Sequence, residues 1–150
     1  MGMMQVRPIA SVLIFCGLLS AQGALRLQDV HKIYVDAFDE GDAADAMRTK
    51  IIAQFGKVRR FELVESADQA DAVLNGASQI IKLAKGNQHA PGGERYHAKA
   101  NVQLVSKDQT VLWMDDPSTG AASHFTATSN LAERIVKDLL KATAADSKTK

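Results

Sequence analysis

The chain has 150 residues, 46% of them apolar, and carries 18 Lys and Arg against 17 Asp and Glu. That is the size and make-up of one globular domain able to bury a core. The near-zero net charge gives no overall field to gather nucleic acid or an anionic membrane, and the single cysteine excludes a disulfide framework within the chain.

The first residues read as a secretory leader. Arg7 supplies a weakly basic start, Ile9 to Leu19 an apolar run, and Ser20 to Ala24 the small residues of a cleavage site. The run is shorter than the roughly 20 apolar residues of a spanning helix. This reading assigns 1–24 to a signal peptide, 25–145 to a single domain and 146–150 to a disordered tail, with the mature chain starting between Ala21 and Leu25. Cys16 lies inside the run. Phe15 stands where a lipoprotein signal places a small residue, so lipid attachment at Cys16 is the lesser alternative. Cleavage would remove the only thiol and Arg7, leaving 17 basic and 17 acidic residues.

Lys32 to Phe38 predicts a first strand, with Ile33, Val35 and Ala37 on one side and Tyr34, Asp36 and Phe38 on the other. Asp39-Glu40-Gly41 breaks it, and Asp42 can cap a helix by accepting the free amide hydrogens of its first turn. Ala44, Met47, Ile51, Phe55 and Val58 then recur every three or four residues, an amphipathic helix that Gly56 ends. Arg60 to Glu65 predicts a second strand, and Asp68 to Asp71 a short turn. From Ala72 to Leu83 the pattern is again that of a strand, interrupted by Asn75-Gly76. An Asn-Gly pair suits a hairpin, yet Ala72 to Leu74 is a very short first arm, so a continuous strand with Gly76 at a bulge or close backbone approach is favoured.

Lys85 to Glu94, with Pro91-Gly92-Gly93, reads as an exposed loop. Tyr96, Ala98, Ala100, Val102 and Leu104 then alternate with His97, Lys99, Asn101 and Gln103, so one face packs and the other meets water. Ser106 to Gln109 turns the chain back into Thr110 to Met114, an antiparallel hairpin. Asp115 to Phe125 reads as a second loop. Ser129 or Asn130 is the expected cap of a last helix, Asn130 and Glu133 having capping-box spacing. Its stripe is Leu131, Ile135, Leu139 and Ala142, widened by Ala132, Val136 and Leu140, and a polar tail frays from Ala144. The order β-α-β-β-β-β-α predicts a two-layer α+β domain, one mixed sheet of four or five strands with both helices on one face.

These segments carry a resemblance. The strand Lys32-Ile-Tyr-Val-Asp-Ala-Phe, the helix, Arg60-Phe-Glu-Leu-Val-Glu, Ala67-Asp-Gln-Ala-Asp-Ala-Val-Leu-Asn-Gly and Val111-Leu-Trp resemble the small envelope domain of the lipopolysaccharide-assembly lipoprotein. The chain is also similar to the curli-secretion lipoprotein and to the amino-terminal domain of the Tol-Pal translocation protein. The resemblance implies a periplasmic, non-enzymatic accessory domain that works by binding a partner, and it transfers no individual site residue.

The residues themselves present no catalytic, cofactor-binding or metal site. His31, His89, His97 and His124 show no metal-ligand spacing. Asp36, Asp39, Glu40 and Asp42 crowd one strand-to-helix corner that could serve acid-base chemistry, but a helix dipole explains them as well. Neither G-x-S-x-G nor H-E-x-x-H occurs, and Gly86, Gly92 and Gly93 lie in no phosphate loop. Lys57, Arg59 and Arg60 form a basic cluster that could meet lipid or glycan phosphates or simply suit a helix C-terminus. Trp113 is read as a packing ring. The expected function is thus an exported accessory protein binding an envelope protein or glycolipid, without nucleic acid and with at most peripheral outer-membrane association. The alternatives are a self-associating domain of a secretion or transport apparatus, and a hydrolase using the Asp36 to Asp42 corner. Recognition is assigned to the loops at Lys85 to Glu94 and Asp115 to Phe125.

Overall fold

A computed structural model describes residues 24–38, 42–83 and 94–148. The expected leader with Cys16, the corner residues Asp39 and Glu40, and all of the Lys85 to Glu94 segment except Glu94, with His89, Gly86, Gly92 and Gly93, lie outside the described residues. The elements are β1 (Lys32–Phe38), α1 (Asp42–Phe55), β2 (Glu62–Leu63), β3 (Ala72–Lys82), β4 (Tyr96–Ser106), β5 (Val111–Asp115) and α2 (His124–Asp146). They form one mixed five-stranded sheet in the order β2-β1-β3-β4-β5, with two helices. β1 is parallel to β2 and β3, while β3, β4 and β5 run antiparallel as a meander.

Burial separates the two faces of the sheet. Ile33, Val35, Leu74, Ala98, Val102 and Leu104 are fully buried on one side, together with Met47, Ile51 and Phe55 of α1 and Leu131, Ile135 and Leu139 of α2. α1 packs on β1, α2 on β4, and the helices pack on each other. Phe55 meets Phe61 edge to face, with ring centroids 5.9 Å apart.

The β3 expectation of a continuous strand holds, and the hairpin alternative at Asn75-Gly76 does not. Gly76 lies where β3 is pressed between β1 and β4. A Cβ there would run into the Asn101 carbonyl oxygen and approach the Val102 Cα to 3.0 Å and the Phe38 ring to 3.1 Å.

Three expectations are corrected. Strict alternation fails in β1, because the pairing with β3 shifts between Val35 and Phe38; Phe38 turns inward and Ala37 outward. The Asp36 carboxylate accepts the Ala37 amide hydrogen at 2.8 Å, which supports the local irregularity, and a phenyl ring gains more than a methyl group from burial. The second strand shrinks to Glu62–Leu63. Last, α2 begins at His124 rather than near Ser129, capped by Ser123, whose Oγ accepts from the Thr126 amide at 3.2 Å, and it extends to Asp146, into the stretch expected to fray. Ala127 and Thr128 are buried, so packing pulls the extra turn into the helix despite its two threonines.

Candidate functional site

The junction around Asp71 shows how the fold is fastened. The chain passes from β2 on one side of β1 to β3 on the other, and Asp71 sits at that crossing. Its Oδ2 accepts the amide hydrogens of His31 at 2.9 Å and Lys32 at 2.8 Å. Partial burial opposes ionisation, but those two amides and the positive neighbours outweigh it, so the carboxyl titrates below its ordinary value. Arg60 has a related duty. It donates to the carbonyls of Val30 at 2.9 Å and Gln28 at 2.6 Å, which ties the segment ahead of β1 to the entry of β2. Of the basic cluster, only Lys57 and Arg59 remain directed to solvent.

The other candidates are not brought together. His31 lies beside Arg60, His97 on the uncovered sheet face, and the His124 ring packs edge to face on Tyr96 at 5.2 Å. Asp36 is engaged with its own neighbouring amide. Trp113 is half-buried against the core, as the packing reading expects.

The loop from Asp115 to Phe125 is not the free recognition loop expected of it. Pro117 accepts from the Ala100 amide at 3.0 Å, the Thr119 amide donates to Ala98 at 2.8 Å, and Tyr96 and Ala122 exchange two bonds. The Arg134 guanidinium also holds the Ser118 carbonyl at 2.8 Å. Pro117, Thr119 and Ala122 therefore continue the sheet edge beyond β5 through four backbone bonds to β4. Proline and glycine content, which marked the segment as a loop, carries no information about such non-local pairing.

Among the described residues, two surfaces remain available. One is the sheet face opposite the helices, where Asn75 faces Gln103 and Gln79 faces Lys99 across the β3–β4 ladder, with Asn101 and His97 alongside. Its amides Asn75, Gln79, Asn101 and Gln103, each able both to donate and to accept, stand among Val73, Ala77, Ile81 and Met114. Asn101 Nδ2 reaches Asp116 at 2.6 Å. The other is the outer edge, β5, whose Val111 and Met114 are 47% and 64% exposed. At the far end of the β3–β4 ribbon, Glu94 accepts from Lys82 and from the Tyr96 hydroxyl, raising both of their pKa values through hydrogen bonding. That cluster is exposed and reads as a clasp on the ribbon. The outer surface of α2 holds a shallow charged depression around Asp138, which pairs with Arg134 and Lys141; paired, open charges of this kind offer little binding energy.

No family model and no curated protein sequence matches the chain. Solved structures do. A minor lipoprotein from Acinetobacter baumannii superposes with a TM-score of 0.56 at 9% identity, over 77% of this chain and 92% of that one. A Xanthomonas campestris protein of the DUF330 family gives 0.55 at 12% identity, over 85% and 93%. The PelC dodecamer from Paraburkholderia phytofirmans gives 0.53 at 15% identity, over 70% and 85%. At such identities the likeness concerns the fold. This chain has the fold of small bacterial lipoprotein domains. The lipopolysaccharide-assembly, curli-secretion and Tol-Pal families rest on the sequence resemblance alone.

Proposed function

We propose that this is an exported, non-enzymatic accessory protein of the bacterial cell envelope that binds a protein or glycolipid partner during envelope assembly. The observation that carries the reading is the fold shared with the A. baumannii lipoprotein across nearly all of that chain, joined to a leader-like start. The amide-rich sheet face is the binding surface in this reading, because its hydrogen-bonding groups are not consumed by the core. Cross-linked capture from envelope extracts tests it. The wild-type protein should retain a reproducible partner and a Gln79→Glu, Asn101→Asp variant should lose it; capture without any reproducible partner, or unaffected by the variant, would sink the idea.

Export through a cleaved leader, rather than anchoring, is part of the same proposal. The likeness to lipoproteins supports the lipid alternative at Cys16, and Phe15 argues against it. Mass spectrometry of exported protein decides: a start between Ala21 and Leu25 supports cleavage without lipid, whereas a diacylglycerol on Cys16 would place the chain on a membrane.

A second reading, a self-associating domain of a secretion or transport apparatus, is favoured by the dodecameric state of the PelC structure and by the exposed Val111 and Met114 of the edge strand β5. Light scattering across a range of concentrations tests it, and a strict monomer would remove it.

A further inference from the structure

A binding surface on the amide-rich sheet face leaves open which class of partner it takes, and by what contacts. Resting on the reading of that face as the binding surface, we propose that its partner is a protein, held along the margin of the face. An extended, apolar and acidic segment of that protein adds as a strand to the edge of β3 at residues 77–82, beyond the end of β1.

β3 outruns the strand beside it. β1 pairs with it only as far as Phe38 against Gly76, and by Asp42 its chain has entered α1. Beyond Gly76, roughly 20 Å of β3 has no strand on that side among the described residues. On its other side the ladder to β4 runs from Ala72 to Lys82 without a register shift, so this edge keeps regular strand geometry.

The direction of its backbone groups follows from β4. The Ala100 amide donates to Pro117, Ala98 accepts from the Thr119 amide, and Tyr96 exchanges two bonds with Ala122. These three residues thus turn their backbone groups away from β3. Across the ladder they face Ser78, Ile80 and Lys82, and in such a pair of an antiparallel ladder both residues point outward. The amides and carbonyls of Ser78, Ile80 and Lys82 are therefore presented to the open edge, where they meet no backbone partner among the described residues. The enclosed Ser78 hydroxyl lacks a partner as well, which is uncommon in native structures.

Donors and acceptors in alternation at strand spacing are complementary to another polypeptide backbone. Two features set the side chains of the added strand. Ile81 and Leu83, 37% and 38% exposed, offer apolar surface beside the edge. The ribbon of 77–83 and 94–101 carries Lys82, Arg95 and Lys99 against one carboxylate, Glu94. An apolar segment with acidic residues suits both, whereas a second copy of this chain would bring two basic ribbons together. Lysine often guards an edge, but Lys82 is drawn across the ribbon by its ion pair with Glu94.

Residue-resolved amide exchange tests the assignment, the probe being a synthetic heptapeptide of alternating Val and Thr with Glu at both ends. In the free protein the amides of Ser78, Ile80 and Lys82 should exchange faster than those of Ala77, Gln79 and Ile81, which point at β4. The peptide should slow the first three. That effect should be lost when the peptide is N-methylated throughout, when Lys replaces its terminal Glu residues, or when the protein carries Ile81→Glu, an exposed change expected to leave the circular dichroism spectrum unaltered. Should this variant fail to fold, the N-methylated peptide makes the same comparison on unaltered protein. Amides that the peptide leaves unchanged, or protects equally after N-methylation, would overturn the proposal. Sedimentation showing self-association that Ile81→Glu abolishes would give the edge to a second copy instead. In the capture experiment, a partner kept by Ile81→Glu but lost by Gln79→Glu, Asn101→Asp would overturn the edge assignment while leaving the reading of the face standing. Wild-type protein that captures no partner would overturn both.

Discussion

Asp71 is an acidic residue whose worth depends on pH. Its folded pKa lies below the ordinary 3.8, so folding favours the charged form. The contribution is therefore full above that value and is lost as pH falls through the folded pKa. A hydrogen bond to a charged group is worth roughly 1.5–3 kcal/mol when buried, and partial exposure brings each of these two down towards about 1 kcal/mol. Asp71→Ala should lower the melting temperature by a few degrees at neutral pH, and the gap to wild type should close under acid; melts of both proteins across pH check this. Gly76 is a harsher case, since a methyl group there meets backbone on the β4 side and a packed ring on the other. Gly76→Ala is expected to cost about 3 kcal/mol or more, the upper range for overpacking, read by urea denaturation.

Helix α2 illustrates what single side chains do for an element. Ser123 is its cap, and Ser123→Ala should cost about 1 kcal/mol, whereas Asn130→Ala, in the middle of the helix, should cost less than half of that. Equal denaturation midpoints would contradict the placement of the helix start. Ile135→Asp or Leu139→Asp buries an unpaired carboxylate and should unfold the domain, while Lys137→Ala, exposed, should leave its melting temperature unchanged. The stripe from Leu131 to Leu139, the period of two in β4 and the α1 stripe were all legible because burial repeats with the geometry of the element. The first turn of α2 was not. Phe125 is 70% exposed, with Lys50 Nζ 3.5 Å above its ring centroid, so no apolar period starts there, and the Asn130–Glu133 spacing gave a stronger but misleading signal. The shift in β1 was hidden for a similar reason: it depends on how β3 passes Phe38, which lies nearly forty residues away from Gly76 in sequence.

The β-α-β-β-β-β-α order and the two layers follow from counting apolar faces, and the fold agrees. The candidate surface was much less legible. Sequence reading assigned recognition to the segments richest in proline and glycine; of these, 84–93 lies outside the described residues, and 117–122 is tied to β4 by backbone bonds at Pro117, Thr119 and Ala122. The amide-rich sheet face left no mark as a site, because Asn, Gln and Lys alternating with apolar residues is also what any wet strand looks like. Binding should therefore respond to changes on β3 and β4 more than to changes near Gly120. Gly120 has open space around the position of a Cβ, so Gly120→Ala should bind and melt like wild type; a loss of partner capture in that variant would return recognition to this segment.

The position of β1 has a kinetic consequence. It is the first strand made, yet it is held between two strands that arrive later, through parallel pairings that span roughly thirty to forty residues, whereas β3, β4 and β5 form by successive hairpins. Sequence-local pairings close at lower entropic cost, so the meander is expected to assemble early and β1 to insert last. In pulse-labelled hydrogen exchange during refolding, the amides of β4 should gain protection before those of β1. The segment that leads into β1 would then be the last to be locked in place, and under the proposed export an export apparatus would meet that end of the chain still extended after the rest had begun to fold.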